Sequence, residues 1–267
     1  MQKNSQEKDM QFLEKRFLDL SRTAYQRDIV TYTDFLNLNE QNILHGLPKN
    51  QLFSRYQLFG GYDTAERQMA AFIPDALYLR YGKSELSPVE TGYPFCAVRI
   101  SPLQRKYAEK LTHRDYLGAV LNLGMERSKT GDIIPWEENM VIFIHRDMSE
   151  LLLHELKRIR HTSVSAVEFP AEEINNYTPG YEEIWGTAAS VRLDSLLALA
   201  FSSSRTKLSG LIEGARVFVN GRLVTSNGYQ PKPGDVISVR GMGKFRFAEE
   251  GGRTKKNRQC VVLYKYV

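Results

Sequence analysis

Apolar residues at Met10, Leu13, Phe17, Leu20 and Ala24 return every three or four positions, which predicts an amphipathic helix over 6–27. A short helix is expected over 39–45, ending before Gly46 and Pro48, and 51–58 could form a strand. Asp63 or Thr64 is placed to cap a helix that reaches Phe72 and is stopped by Pro74. Positions 1–74 therefore read as a helical N-terminal region.

From Tyr93 onward the pattern changes. YPFCAVRIS at 93–101 predicts a strand, and Thr112 with Asp115 three residues later has the capping-box spacing that opens a helix to 123. Ile133 and Ile134 sit in a short strand, and MVIFIH at 140–145 is the unbroken apolar run of a central strand. Asp147 and Glu150 open a second helix with the stripe Leu152, Leu156 and Ile159, and 164–169 is a last strand. The order is that of a ferredoxin-like, RRM-like βαββαβ domain over 75–170. Some sheets of this topology bind RNA through exposed aromatics, but the basic–Gly–aromatic–small–aromatic pattern is missing from 140–146, so Phe143 reads as core. Lys157, Arg158 and Arg160 make the outer face of the second helix basic, either as a further contact or as a solvated face.

The stretch 171–185 is acidic and broken by Pro179, and reads as a linker. After it, Leu193, Leu196, Leu197 and Ala200 mark a helix, and the serines 202–204 break it and offer an N-cap to a second helix over 205–212. Arg216 to Val219 alternates as a strand, and Asn220-Gly221 is a strong hairpin signal. Further strands are expected over 235–240, 244–247 and 260–266.

Charge sharpens this picture. Residues 186–267 hold 14 Lys and Arg against 5 Asp and Glu, a net +9, whereas 1–185 hold 22 against 26, a net −4. A basic module joined to a mildly acidic remainder is the distribution expected of a nucleic-acid-binding domain attached to something else. Arg192 opens the first of the two helices, Arg205 and Lys207 lie in the first turn of the second, and Arg216 and Arg222 flank the hairpin. Cations at a helix N-terminus oppose its dipole by about 0.3–1 kcal/mol each, a penalty that a bound polyanion removes.

The series Arg192-Leu193-Asp194, Ser204-Arg205, Leu211-Ile212, Gly214, Val217, Val219-Asn220-Gly221 and Pro233-Gly234-Asp235-Val236-Ile237 resembles the small RNA-binding domain first seen in ribosomal small-subunit protein four, the S4-type αL domain. Asn227, Gly228 and Pro231 depart from its usual pattern. The resemblance implies an RNA surface built by both helices and the adjoining strand over 186–267. The candidate RNA-binding residues are Arg192, Ser204, Arg205, Lys207, Arg216, Asn220, Arg222, Lys232 and Lys244. In the middle section His113-Arg114-Asp115-Tyr116-Leu117-Gly118 and Gly131-Asp132-Ile133, joined to that C-terminal end, resemble the bacterial YlmH family. That resemblance implies a role in ribosome-associated quality control on large ribosomal subunits obstructed by peptidyl-tRNA, and an association with division-gene clusters.

Five scattered histidines show no metal-ligand spacing, and no nucleophile elbow, P-loop or deaminase signature occurs. Asp115 and Asp132 read as a cap and a turn. Cys96 and Cys260 are too few for a disulfide framework, which fits a reducing cytoplasm. No window approaches the roughly 18 apolar residues of a membrane span. The expectation is an α+β, non-catalytic cytoplasmic protein without cofactor, metal or small-molecule substrate, whose partners are structured rRNA or tRNA and the large ribosomal subunit. A protein-interaction or cell-division scaffold, or an RNA-modifying enzyme using the middle domain, are the alternatives.

Overall fold

In the computed structural model, which describes residues 2–174, 177 and 179–266, the first apolar stripe forms helix α1 (Gln2–Arg27). Its Phe17 and Ala24 are buried with Leu36, Leu44 and Phe72. After the strand β1 (Thr31–Tyr32) comes α2 (Leu38–Gly46), whose capping box is complete. The Asn37 side chain accepts from the Glu40 amide, and the Glu40 carboxylate accepts from the Asn37 amide at 2.6 Å.

The helix expected up to Phe72 is not there. Strands β2 (Arg55–Phe59) and β3 (Met69–Ile73) instead join β1 in an antiparallel sheet of order β1-β3-β2. All five residues of β3 are buried, and an apolar run without alternation has no period by which to tell strand from helix. The N-terminal region is thus helix and sheet, not helix alone.

Helices α3 (Asp75–Tyr81) and α4 (Pro88–Thr91) lead into the middle section. It comprises β4 (Phe95–Pro102), α5 (His113–Asn122), β5 (Thr130–Trp136), β6 (Asn139–His145), α6 (Ser149–Glu155), β7 (Arg158–Ile159), β8 (Thr162–Phe169) and α7 (Ala171–Ile174). The sheet order is β5-β6-β4-β8-β7, with every pair antiparallel. Apart from the two-residue β7, this is the expected strand–helix–strand–strand–helix–strand succession. The Thr112–Asp115 box opens α5 as expected. The second helix stops at Glu155, so Ile159 lies in β7, and Lys157, Arg158 and Arg160 are not on a helical face.

Both faces of this sheet are covered. Val98, Ile100, Ile142 and Ile144 pack against Tyr116, Val120 and Leu152 of α5 and α6. On the other side Ala97, Val141, Phe143 and Phe169 pack against Phe35, Tyr62, Met69 and Ile174. The Tyr62 ring stacks on Phe143 at 5.8 Å. Phe143 is 1% exposed, a core residue. Residues 1–74 and 75–170 therefore share a core, and the chain forms two compact units, 1–177 and 178–267.

The expected linker is shorter than its composition suggested. Positions 175, 176 and 178 lie outside the described residues, but Tyr181–Ala188 is strand β9 of the second unit. Glu182 and Glu183 disguised its alternation; Ile184 packs into the core between them and Ala188. Beyond β9 come α8 (Leu193–Ala200), α9 (Arg205–Glu213), β10 (Val217–Val219), β11 (Arg222–Leu223), β12 (Val236–Val239), β13 (Gly243–Arg253) and β14 (Gln259–Tyr266). They form one sheet of order β11-β10-β12-β13-β14-β9, with α8 and α9 packed on one face through Leu193, Leu197, Leu208 and Ile212. Asn220 and Gly221, with φ of 49° and 76°, make the β10–β11 turn.

Candidate nucleic-acid interface

Ser204 caps α9, its hydroxyl accepting from the Lys207 amide at 3.4 Å. No acidic residue occupies the first turn. Arg205 and Lys207 are exposed and make no ion pair among the described residues. Two uncompensated cations therefore face solvent where unpaired amides already favour an anion.

The mouth of α8 is different. Arg192 stands at its N-cap, but the guanidinium donates to Asp194 Oδ1 at 3.2 Å, and Asp194 also accepts from the Ser195 amide at 2.9 Å. The helix dipole is thus answered by the chain's own carboxylate. Nor do the two mouths adjoin. The Leu193 amide donates to the Tyr229 carbonyl at 2.8 Å, and Asn227 of the same loop donates to Glu213, at the tail of α9, at 2.7 Å. Arg205 and Lys207 lie at the other end of α9, a length of about 12 Å for eight residues. The start of α8 thus lies toward the tail of α9 and not toward its mouth.

Of the remaining candidates, Arg216, Arg222 and Lys232 are exposed, and Lys244 is half-buried with its ammonium 5.5 Å from the Tyr266 ring centroid. Asn220 is taken up by the fold. Its Nδ2 donates to Asp235 Oδ1 at 2.8 Å, and its Oδ1 accepts from the Val236 amide at 2.9 Å. It ties the hairpin to β12 through its oxygen and one of its two amide hydrogens. One residue was missed: the Arg240 amide donates to the Arg216 carbonyl at 2.9 Å, so two exposed arginines stand opposite each other across β10 and β12. Neither makes an ion pair among the described residues. The signal was the pairing of the Val217 and Val239 runs, which only the register reveals.

Residues 88–173 match the model described as a putative RNA-binding domain in YlmH, and residues 191–237 match the S4 domain. The chain carries both domains. It is 28% identical over 249 residues, 92% of this chain and 91% of the relative, to the protein described as ribosome-associated protein quality control protein P2 of Bacillus subtilis (strain 168). A solved structure described as cell division protein ylmH from Streptococcus pneumoniae aligns at 24% identity with a TM-score of 0.48, over 64% of this chain and 95% of that one.

The S4 match ends inside β12, so Arg240, Lys244 and all of β9, β13 and β14 lie outside it. The YlmH-type domain begins at α4, and the N-terminal region is clamped to it by Asp132. This residue is in β5 and not in a turn: it accepts from the Tyr62 hydroxyl at 2.8 Å and from the amides of Glu66 and Arg67 at 2.7 and 3.1 Å. The buried Arg67 guanidinium donates to the carbonyls of Thr130, Phe35 and Arg127 at 2.8, 2.8 and 3.0 Å. Burial, then Asp132, pushes the Tyr62 phenol far up, so it remains a donor. Burial, then Arg67, pushes Arg127 down to about 10, still charged at neutral pH.

Arg160 forms an ion pair with Asp115 Oδ1 at 2.6 Å, so its charge is partly answered by the chain itself. A cavity of about 570 Å³ opens beside Phe95 and Phe143, where Arg146 and Glu168 pair at 3.4 Å. Cys96 is in its wall, and burial pushes that thiol up, which keeps it protonated and a poor nucleophile. Among the described residues no group of three His, Cys, Asp or Glu side chains gathers to hold a metal, and no helix is long and apolar enough to cross a membrane.

Proposed function

We propose that this chain is a ribosome-associated RNA-binding protein of the cytoplasm, whose S4 domain grips structured rRNA or tRNA on the large subunit. It performs no catalytic step there, and its task is rescue of subunits obstructed by peptidyl-tRNA. The carrying observation is the mouth of α9, where Arg205 and Lys207 oppose the helix dipole with no carboxylate in the first turn and no ion pair among the described residues. A phosphate at that position relieves about 0.3–1 kcal/mol per cation and gains the helix amides besides. The ribosomal part of the reading is supported by the name of the Bacillus subtilis relative, which aligns along nearly the whole chain.

The test is binding of an rRNA hairpin and of tRNA to the full chain over a salt series, beside sedimentation with separated subunits at two salt concentrations. Log affinity should fall with log salt by roughly 0.7–0.9 per neutralised phosphate. Arg205→Ala with Lys207→Ala should weaken binding, flatten that slope and release the protein from the large-subunit peak. Unchanged affinity and slope would place the RNA elsewhere, and a protein found only at the top of the gradient would remove the ribosome from the account.

A further inference from the structure

The sheet strands beyond the S4 match carry a second surface of different chemistry. Ile184 of β9 packs into the core with α8 and α9, so alternation puts Tyr181, Glu183 and Trp185 on the opposite, outer face. Register places Tyr266 of β14 opposite Tyr181, Tyr264 opposite Glu183, and Arg246 of β13 opposite Tyr264. The Tyr181 and Tyr264 rings are stacked with centroids 4.3 Å apart. Trp185 stands four residues further along β9, about 13 Å away, and is 73% exposed. Tyr264 is surrounded by Tyr181, Glu183, Glu249 and Arg246, which bear on its phenol after desolvation.

The neighbours of these rings decide what can cover them. Cores of protein–protein interfaces are depleted in Lys and Glu, whereas here Glu183, Glu249, Lys244 and Arg246 interleave the aromatics. Sealing such charges under a protein partner costs their hydration. A nucleobase covers one ring and leaves adjacent charges wet, and aromatics beside cations on a sheet are the arrangement on which unpaired bases stack.

We propose that the outer face of β9, β14 and β13 is a stacking platform for unpaired RNA bases, one on the Tyr181–Tyr264 pair and one on Trp185. It is separate from the phosphate site at α9 and rests on the reading of the chain as an RNA-binding protein. Two carboxylates offset two cations on this face, so ring contact and not phosphate attraction holds the RNA, and the contact depends little on salt.

The chain has two tryptophans, and Trp136 is packed against Phe169 and Tyr177. In full-length protein carrying Trp136→Phe, a six-nucleotide single-stranded RNA without self-complementarity should quench the Trp185 emission at low and high salt alike. The same ribose-phosphate backbone without bases should leave it unchanged. Trp185→Ala should weaken oligonucleotide binding by about ten-fold, and Trp185→Tyr should restore it. The quench should survive Arg205→Ala with Lys207→Ala, which separates this platform from the α9 site. Emission unmoved by the base-containing RNA, or quenched equally by the abasic one, overturns the platform while leaving hairpin binding at α9 to stand or fall by itself.

Discussion

Arg216 and Arg240 face each other across β10 and β12, joined through the backbone at 2.9 Å with both side chains exposed. Like charges directly opposite in an antiparallel pair are destabilising, by roughly 0.2–1 kcal/mol relative to a neutral pair. A sheet that keeps such a pair gains if an anion lies over it.

Replacing either arginine by Gln should therefore separate stability from binding. We expect Arg216→Gln or Arg240→Gln to leave the melting temperature unchanged or slightly raised. Affinity for structured RNA should fall, and the salt slope should drop by about one per arginine. Calorimetry and a salt series on the same samples check this, and a lowered melting temperature with intact RNA binding would make the pair structural.

Asp132 gives the second prediction. Asp132→Ala leaves the Tyr62 hydroxyl and the amides of Glu66 and Arg67 without their acceptor. Unsatisfied donors in a partly buried site cost about 1–3 kcal/mol each, so a loss of about 2–4 kcal/mol is expected for the first unit. Urea unfolding followed by Trp136 emission in a Trp185→Phe background reads it, and an unmoved midpoint would refute the clamp.

Glu90 gives the third. Its carboxylate takes the Lys83 ammonium at 2.6 Å and the amide of Ser87 at 2.9 Å, and these bonds, Lys83 first, hold its pKa down to about 2. For an acid with a depressed folded pKa, the stabilisation is complete above its ordinary value of 4.5 and is lost as pH falls toward 2. Carboxyl-carbon NMR should show a midpoint near 2 for this side chain, and Glu90→Gln should erase the corresponding pH dependence of the α4 segment. A midpoint near the ordinary value would mean that the box and ion pair do not persist in solution.

The misreadings have separate causes. The five residues of β3 are buried without alternation, so their sequence carried no period. The acidic pair at 182–183 hid β9, although Glu182 is opposite Lys265 and Glu183 faces outward beside the tyrosines. That Asn220 also ties the hairpin to Asp235 and Val236 was not legible, because a turn Asn and a bridging Asn look alike until those residues are placed beside it.

Local signals were enough for what depends on neighbours in the chain: the caps at Thr112 and Ser204, the Asn220-Gly221 turn, the stripes of α1 and α8, and the excess of cations after 186. Each is a property of a few consecutive residues. Tertiary structure alone decided that Phe35, Tyr62 and Met69 close the face of the middle sheet, that the two helix mouths lie apart, and that Arg240 meets Arg216. Those are contacts between residues tens of positions apart, set by which surfaces bury together and by strand register, and no short window of sequence encodes either.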